Sequence, residues 1–419
     1  MFDKAKFINA IEPQLKYLGC LNDQTKQRYI SAVEKFFALY GETDDFHVFS
    51  VSGRSEICGN HTDHNHGKVA AASIDLDIIA VAAKCDGCEI RVKSEGFDED
   101  IVDISSLSSE LSENFGSAAL IRGVCDGLNN NGRNYGAFHA YTESRILKGS
   151  GLSSSAAFED MIGTIENHLY NNGSIDYVEI SKISQYAENV HFGKPCGLMD
   201  QMACAAGGFV GIDFEDPSSP KAENVAFDID SHGYSLYIVN TGGSHADLND
   251  DYASVPAEMK AVAHFFGKDV LRGISEKQLN DNALDIRREC GDRALLRAYH
   301  FVHENARVDK LFEAISRDDM PAFLSVIRES GVSSATLLQN YYSTKAPHEQ
   351  GIALACAVAQ SIMGDDGACR VHGGGFAGTA QVFVPKAKEE AFKKEIETVF
   401  GAGSATKLSI RAGGAVKIY

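Results

Sequence analysis

Hydrophobic residues change their spacing along the chain, and the changes divide it into elements. Phe7, Ile8, Ile11 and Leu15, then Tyr29, Val33, Phe36 and Phe37, recur at steps of three and four, which predicts a helical lead-in over residues 1–40. From His47 the texture becomes β-like: Val48, Phe49 and Val51, a turn-rich polar patch, then 74–83 and 89–92. A helix is expected near 115–128 and a strand over 137–146, followed by a glycine loop. Phe158, Met161, Ile162, Ile165 and Leu169 then return to helical spacing. Helical character recurs at 183–190 and β character at 209–214, and Asp216-Pro217-Ser218-Ser219-Pro220 reads as a linker. Beyond it lie a strand at 234–240, helices near 256–266, 284–304 and 308–315, a strand at 379–384, a Lys/Glu-rich helix ending at Phe400 and two short closing strands.

With 419 residues the chain exceeds one ordinary core, so two domains are expected. No apolar run is long enough to span a bilayer, and Met1-Phe2-Asp3-Lys4 lacks the pattern of a signal peptide, so a cytoplasmic protein is expected. The 39 Lys and Arg against 58 Asp and Glu leave a net charge of −19, which disfavours nucleic acid and anionic membranes as partners. Ten scattered cysteines suit reduced thiols, and Cys85-Asp86-Gly87-Cys88 reads as a hairpin turn rather than a metal or redox motif.

Four segments carry the candidate chemistry. Gly149-Ser150-Gly151-Leu152-Ser153-Ser154-Ser155 runs into the helix that follows, and it fits either an anion cradle or an ordinary serine-capped helix. Asn60 to His66 is polar at every position, so 53–67 is either a solvated loop or a polar site, with sugar or solvent contacts ranked above metal for His61, His64 and His66. Pro195-Cys196-Gly197 shapes the backbone ahead of Asp200. Gly373, Gly375 and Gly378 formally match GxGxxG, but a strand follows, so a dinucleotide fold is excluded; His372-Gly-Gly-Gly has no GxSxG partner, which excludes an esterase.

In order and approximate spacing, these segments resemble the motifs of the GHMP small-molecule kinases and, within them, the galactokinases. Gly53 to Asn65 is similar to Gly-Arg-Val-Asn-Leu-Ile-Gly-Glu-His-Thr-Asp-Tyr-Asn, Gly149–Ala156 to the phosphate loop, Pro195–Gln201 to Pro-Cys-Gly-Ile-Met-Asp-Gln, and Gly373–Gly378 to Gly-Gly-Gly-Phe-Gly-Gly. The resemblance implies an α+β fold of two domains, mixed sheets packed with helices, and an active site in the cleft between them. The expected division is a helical extension (1–45) on an N-terminal kinase domain (46–220), then a C-terminal kinase domain (221–419). It implies ATP-dependent phosphorylation of a sugar at C1. Asp200 would take or position the hydroxyl proton, and Arg54 would neutralise charge. Asn60, His61, Asp63, Gly197 and Tyr252 would contact the sugar. Gly149, Ser150, Gly151, Leu152, Ser153, Ser154, Ser155, Gly373, Gly374 and Gly375 would hold ATP, and Ser154 and Glu188 would hold Mg2+. A monomer or weak dimer is expected, its partners being sugar and ATP.

Departures from the family pattern leave the sugar open. Asn60 stands for a Glu near the sugar's C6 hydroxyl, Ser55-Glu56 for Val-Asn, His64 for Tyr, Leu147 for Pro and Ala377 for Gly. Galactose is the expected acceptor; a C6-modified sugar such as galacturonate, and a non-catalytic sugar sensor, are the rivals. The unbroken serine run and the Arg54/Asp200 pair favour the enzyme. Arg122 is expected at the surface.

Overall fold

A computed structural model describes residues 2–146, 151–194, 196–243 and 248–419. Its first sheet is built on a long antiparallel pair, β1 (His47–Cys58) and β2 (Lys68–Lys84), whose register shifts at Ser52/Arg54 and again at Glu56/Cys58. Beyond these come β3 (Glu89–Ser94), β4 (Glu99–Asp103), β5 (Phe138–Ser144), β6 (Phe209–Asp213) and β7 (Lys221–Val225). One end of β2 pairs with β5 and the other with β6, so the sheet forks at its central strand.

The second sheet is antiparallel, in the order β11 (Ala405–Leu408), β8 (Tyr234–Asn240), β10 (Thr379–Pro385), β9 (Ala368–His372). The last strand, β12 (Ala415–Lys417), returns to the first sheet beside β1. Strand pairing does not stop at the linker: β7, on its far side, still pairs with β6.

Alternation along the central strands sends successive residues to opposite faces. Val48, Ile79 and Val81 pack beneath α1 (Lys4–Tyr17) and α2 (Asp23–Tyr40) with Phe7, Ile11 and Phe36. Phe49, Val51, Ile78 and Ala80 face the larger core beneath α3 (Ser117–Asn130), α4 (Ser154–Tyr170) and α5 (Tyr177–Tyr186). The helical lead-in therefore covers a sheet face that would otherwise be exposed and apolar. The Cys85–Cys88 segment joins β2 to β3 and bends at Gly87, φ +106°, but the expected hairpin does not form: β5 lies between the two strands and pairs with both.

A second expectation from the sequence changes as well. The polar stretch 53–58 is not a turn-rich loop; β1 continues through it with every residue from Val48 buried. A strand tolerates Arg54, Ser55 and Glu56 in its interior because each meets a polar partner from elsewhere in the chain.

A buried charge cluster ties both chain ends to this sheet. Asp77 on β2 accepts from Arg28 of α2 (2.5 Å), from Ser50 of β1 (2.5 Å) and from Arg411 ahead of β12 (3.2 Å). Replacing Asp77 with Ala leaves the buried Arg411 guanidinium without its carboxylate partner and leaves Arg28 with Glu143 alone, at 2.8 Å. The expected loss is about 3–5 kcal/mol, read as a lower urea midpoint, with the change in Arg28→Met/Asp77→Leu smaller than in Asp77→Ala.

Candidate active site

The site begins at the junction between loop and helix α4. Ser153 occupies the helix-cap position with φ +60°, a conformation uncommon outside glycine, and its side chain does not cap the helix. Its hydroxyl donates instead to Asp200 Oδ2 at 2.6 Å. Ala157 N–H bonds back to Ser153 O, whereas the amides of Ser154, Ser155 and Ala156 precede the first intrahelical bond and carry the positive end of a 17-residue helix. Of the two readings of this segment, the serine-capped helix is excluded by that geometry. Gly149 and Ser150 lie outside the described residues.

Asp200 stands in the first turn of α6 (Met199–Ala206). Arg54 Nε donates to its Oδ1 at 2.9 Å, Nη2 lies 2.8 Å from the same oxygen, and Arg54 Nη1 donates to the carbonyl oxygen of Gly151. One guanidinium thus joins the carboxylate to the glycine loop. Burial alone would raise the Asp200 pKa, but Arg54 and the Ser153 hydroxyl hold it below the ordinary carboxylate value. The side chain remains 36% exposed, so the ionised carboxylate is open to a ligand.

Next to Asp200 lies a pocket of oxygen donors. Glu188 sits in a π-helical turn, Ala187–Phe192, and is almost fully buried. Gln201 Nε2 donates to Glu188 Oε2 (3.0 Å) and to Glu159 Oε2 (3.2 Å), while Lys194 Nζ lies 3.2 Å from Glu188 Oε1. Glu159 Oε1 is buried with no hydrogen-bond partner. Burial, and then the Glu188 charge, push the Glu159 pKa well up. Carboxyl oxygens such as those of Glu188 and Glu159 are of the hard donor type that Mg2+ takes, alongside waters and substrate phosphates. No group of three or more His, Cys, Asp or Glu is positioned to hold a metal among the described residues.

A cavity of about 1100 Å³ opens onto Arg54 and Gly151 and runs past His61, Asp63, Gly197, Tyr252 and Lys260 to Gly373, Gly374 and Gly375. His61 Nε2 lies 2.8 Å from the Gly374 carbonyl and the Tyr252 hydroxyl donates to the Gly375 carbonyl at 2.9 Å. Burial, and then the neighbouring His64 ring, push the His61 pKa down to about 4. The neutral ring donates from Nε2 to Gly374, which leaves Nδ1 as an acceptor. Gly197 lets Asp63 approach closely: a Cβ there would lie 2.3 Å from Asp63 Oδ2, so a side chain at 197 would displace that carboxylate.

The structure therefore brings Arg54, Asp200, Gly151 and Ser153 together, and gathers His61, Asp63, Gly197, Tyr252 and the late glycines around one cavity. It turns Asn60 away from that cavity: the residue is 1% exposed and both amide hydrogens are committed, to Glu56 Oε1 (3.0 Å) and to the Gly373 carbonyl (2.8 Å). Arg122 is buried too, its guanidinium held by Glu113 and by the carbonyls of Asp103 and Ser106. His372, Thr379 and Lys194 also line the cavity and were not anticipated. His372, fully enclosed, bridges Ser55 Oγ (3.2 Å) and Thr379 Oγ1 (3.0 Å), and burial, Arg54 and Arg370 hold it neutral. Its position at the end of a strand and against a triple glycine was the one available signal.

Comparison with known proteins agrees with this arrangement. The description "GHMP kinases N terminal domain" matches residues 119–208, and "Galactokinase galactose-binding signature" matches residues 34–84. A galactokinase of Streptomyces coelicolor is 30% identical over 374 residues, covering 88% of this chain and 92% of its own length. A galactokinase of Actinobacillus pleuropneumoniae is 32% identical over 368 residues, covering 87% and 92%. The chain belongs to the galactokinase family. It is accordingly a phosphotransferase of the GHMP kinase superfamily that acts on a sugar hydroxyl. The galactokinase fold is likewise that of the Lactococcus lactis galactokinase solved with galactose, at TM-score 0.79 and 22% identity, covering 93% of this chain and all of that one. Methanococcus jannaschii mevalonate kinase shares the fold more distantly, at TM-score 0.61 and 14% identity, covering 88% of this chain and 99% of that one. No helix among the described residues is long and apolar enough to cross a membrane.

The electrostatics of this galactokinase-family site fix the sign of a pH effect. Protonation of Asp200 removes an acceptor, and its pKa lies below the ordinary carboxylate value; the His61 pKa lies near 4. A kcat/KM profile should therefore stay flat from about pH 8 down to about pH 5.5 and fall only below that. An acid limb centred near pH 6.5 would mean that a group other than these two controls the reaction.

Proposed function

We propose that the protein transfers the γ-phosphoryl group of ATP to the C1 hydroxyl of galactose. The observation that carries this reading is the bond set around Asp200: an exposed, ionised carboxylate held by Arg54, whose guanidinium also reaches the carbonyl of the glycine loop. The acceptor hydroxyl and the transferred phosphoryl group would meet across that one arginine.

In this mechanism the amides of Gly149–Ser155 hold the ATP phosphates and Gly373–Gly375 close the cavity from the second sheet. His61, Asp63, Gly197 and Tyr252 line the sugar side. The C1 oxygen attacks the γ-phosphorus in line, the bond to the bridging oxygen of ADP breaks, and the hydroxyl proton passes to Asp200. Because the Asp200 pKa is low, it orients the hydroxyl first and takes the proton late, once the oxygen has become acidic by bonding to phosphorus. Arg54 offsets the charge spread over the equatorial oxygens. Ser154 and Glu188 would hold Mg2+, which supplies further neutralisation of the phosphates when bound.

A second reading is a kinase for a sugar with a carboxylate at C6, such as galacturonate. Asp63 is the one carboxylate among the described residues lining the cavity, against Arg54, Lys194 and Lys260. An anionic substrate would meet little repulsion there.

Coupled ADP release with Mg-ATP across galactose, galacturonate, glucose, arabinose and galactosamine separates these readings. Galactose should give the highest kcat/KM; a preference for galacturonate would select the second reading, and no turnover with any sugar would reject both. Asp200→Asn should keep sugar and ATP binding while lowering kcat by about 100-fold or more. A near-normal rate would remove Asp200 from the mechanism.

A further inference from the structure

We propose that Asn60 and Asn340 act as a pair of positioning residues that set the sugar wall from behind, through the carbonyls of the Gly373–Gly375 loop. The inference rests on reading the cavity as the sugar site.

Asn60 Nδ2 stands between Glu56 Oε1 and the carbonyl of Gly373, and Glu56 Oε1 already accepts from Arg370 Nη2 at 2.7 Å. Both neighbours accept, so the amide must present its NH2 group to them and its oxygen the other way. That oxygen accepts from Asn340 Nδ2 at 2.8 Å, and Asn340 Nδ2 also donates to the carbonyl of Gly374 at 3.0 Å. The Asn340 carbonyl in turn accepts from Phe376 N–H at 2.5 Å. Gly375 wraps so closely around this residue, at φ +82°, that a Cβ would fall 2.2 Å from the Asn340 oxygen. Asn340 and Arg370 are completely buried, and neither asparagine lines the cavity.

The wall that a sugar would meet is built on the other side of the same loop. His61 bonds to the Gly374 carbonyl and Tyr252 to the Gly375 carbonyl. The asparagine pair fixes Gly373 and Gly374, and these fix His61 and Tyr252. His300 Nε2, 2.9 Å from the Asn60 carbonyl, clamps the backbone of the hub, and the Glu56–Arg370 pair decides which way the Asn60 amide faces. Asn60 thus affects sugar selection by geometry rather than by touching the substrate.

The test is steady-state kinetics on the full chain, with sugar and Mg-ATP varied separately, for Asn60→Asp, Asn340→Ala and the double variant, with melting temperatures alongside. Each single change should raise the sugar KM about tenfold and leave the ATP KM within about twofold. The double variant should be no worse than the poorer single, because both act through one loop. Adding Glu56→Gln to Asn60→Asp should recover the melting temperature by relieving the clash between carboxylates, without restoring the sugar KM, since the Gly373 carbonyl still lacks its donor. Recovery of both together would reduce Asn60 to a stability role and overturn the proposal. So would an unchanged sugar KM in Asn340→Ala, or penalties that multiply in the double variant, as a direct sugar contact by Asn60 requires. If Asn60→Asp does not fold, Asn340→Ala alone decides. If the unaltered protein turns over no sugar, the phosphoryl-transfer reading fails, and galactose affinity measured by calorimetry replaces KM as the readout for the asparagine pair; no galactose binding to the unaltered protein would reject the sugar-site reading and the proposal with it.

Discussion

The site depends on keeping one guanidinium between two kinds of oxygen. Arg54 sits in the interior of a core strand, where an unpaired charge would be costly, and Asp200 together with the Gly151 carbonyl makes that position tenable. The same contacts have functional consequences. They hold Asp200 ionised, draw the glycine loop against β1, and leave Ser153 in a left-handed conformation that directs its hydroxyl to the carboxylate rather than to its helix.

The rest of the fold supplies rigidity to that junction. β1 is covered on one face by α1 and α2 and on the other by the large core, so the strand bearing Arg54 and Glu56 has little room to move. Its polar residues are satisfied almost entirely by groups distant in sequence: Asp200, His372, Gln381 and Arg370. The second sheet therefore does more than close a cleft. Through β9 and the glycine loop it completes the hydrogen bonding of the first.

How much of this was legible beforehand follows from the range of each interaction. The helical lead-in, the strand after the late glycines and the bend at Cys85–Cys88 announced themselves because periodicity and turn chemistry are local; that β5 would come between the strands joined by that bend, so that they form no hairpin, is a long-range outcome that turn residues do not reveal. Arg54, Asp200 and the serine loop were legible as motifs. The continuation of β1 through Arg54, Ser55 and Glu56 was not, because what makes those residues tolerable in a strand lies far from them in sequence, up to 326 positions away for the Gln381–Ser55 bond. Asn60 was expected to face a sugar for the same reason: its type was visible, but not that Glu56, Gly373 and Asn340 would use its amide. Asn340 carried no sequence signal at all.

The central claim is that Asp200 and Arg54 bring an anomeric hydroxyl to the ATP γ-phosphate. Phosphorus and proton NMR of the product formed from galactose and Mg-ATP test it most directly. The account predicts a single sugar phosphate whose phosphorus couples to the C1 proton, formed together with one equivalent of ADP. A phosphate on any other carbon, or ADP released with inorganic phosphate and no sugar ester, would contradict it.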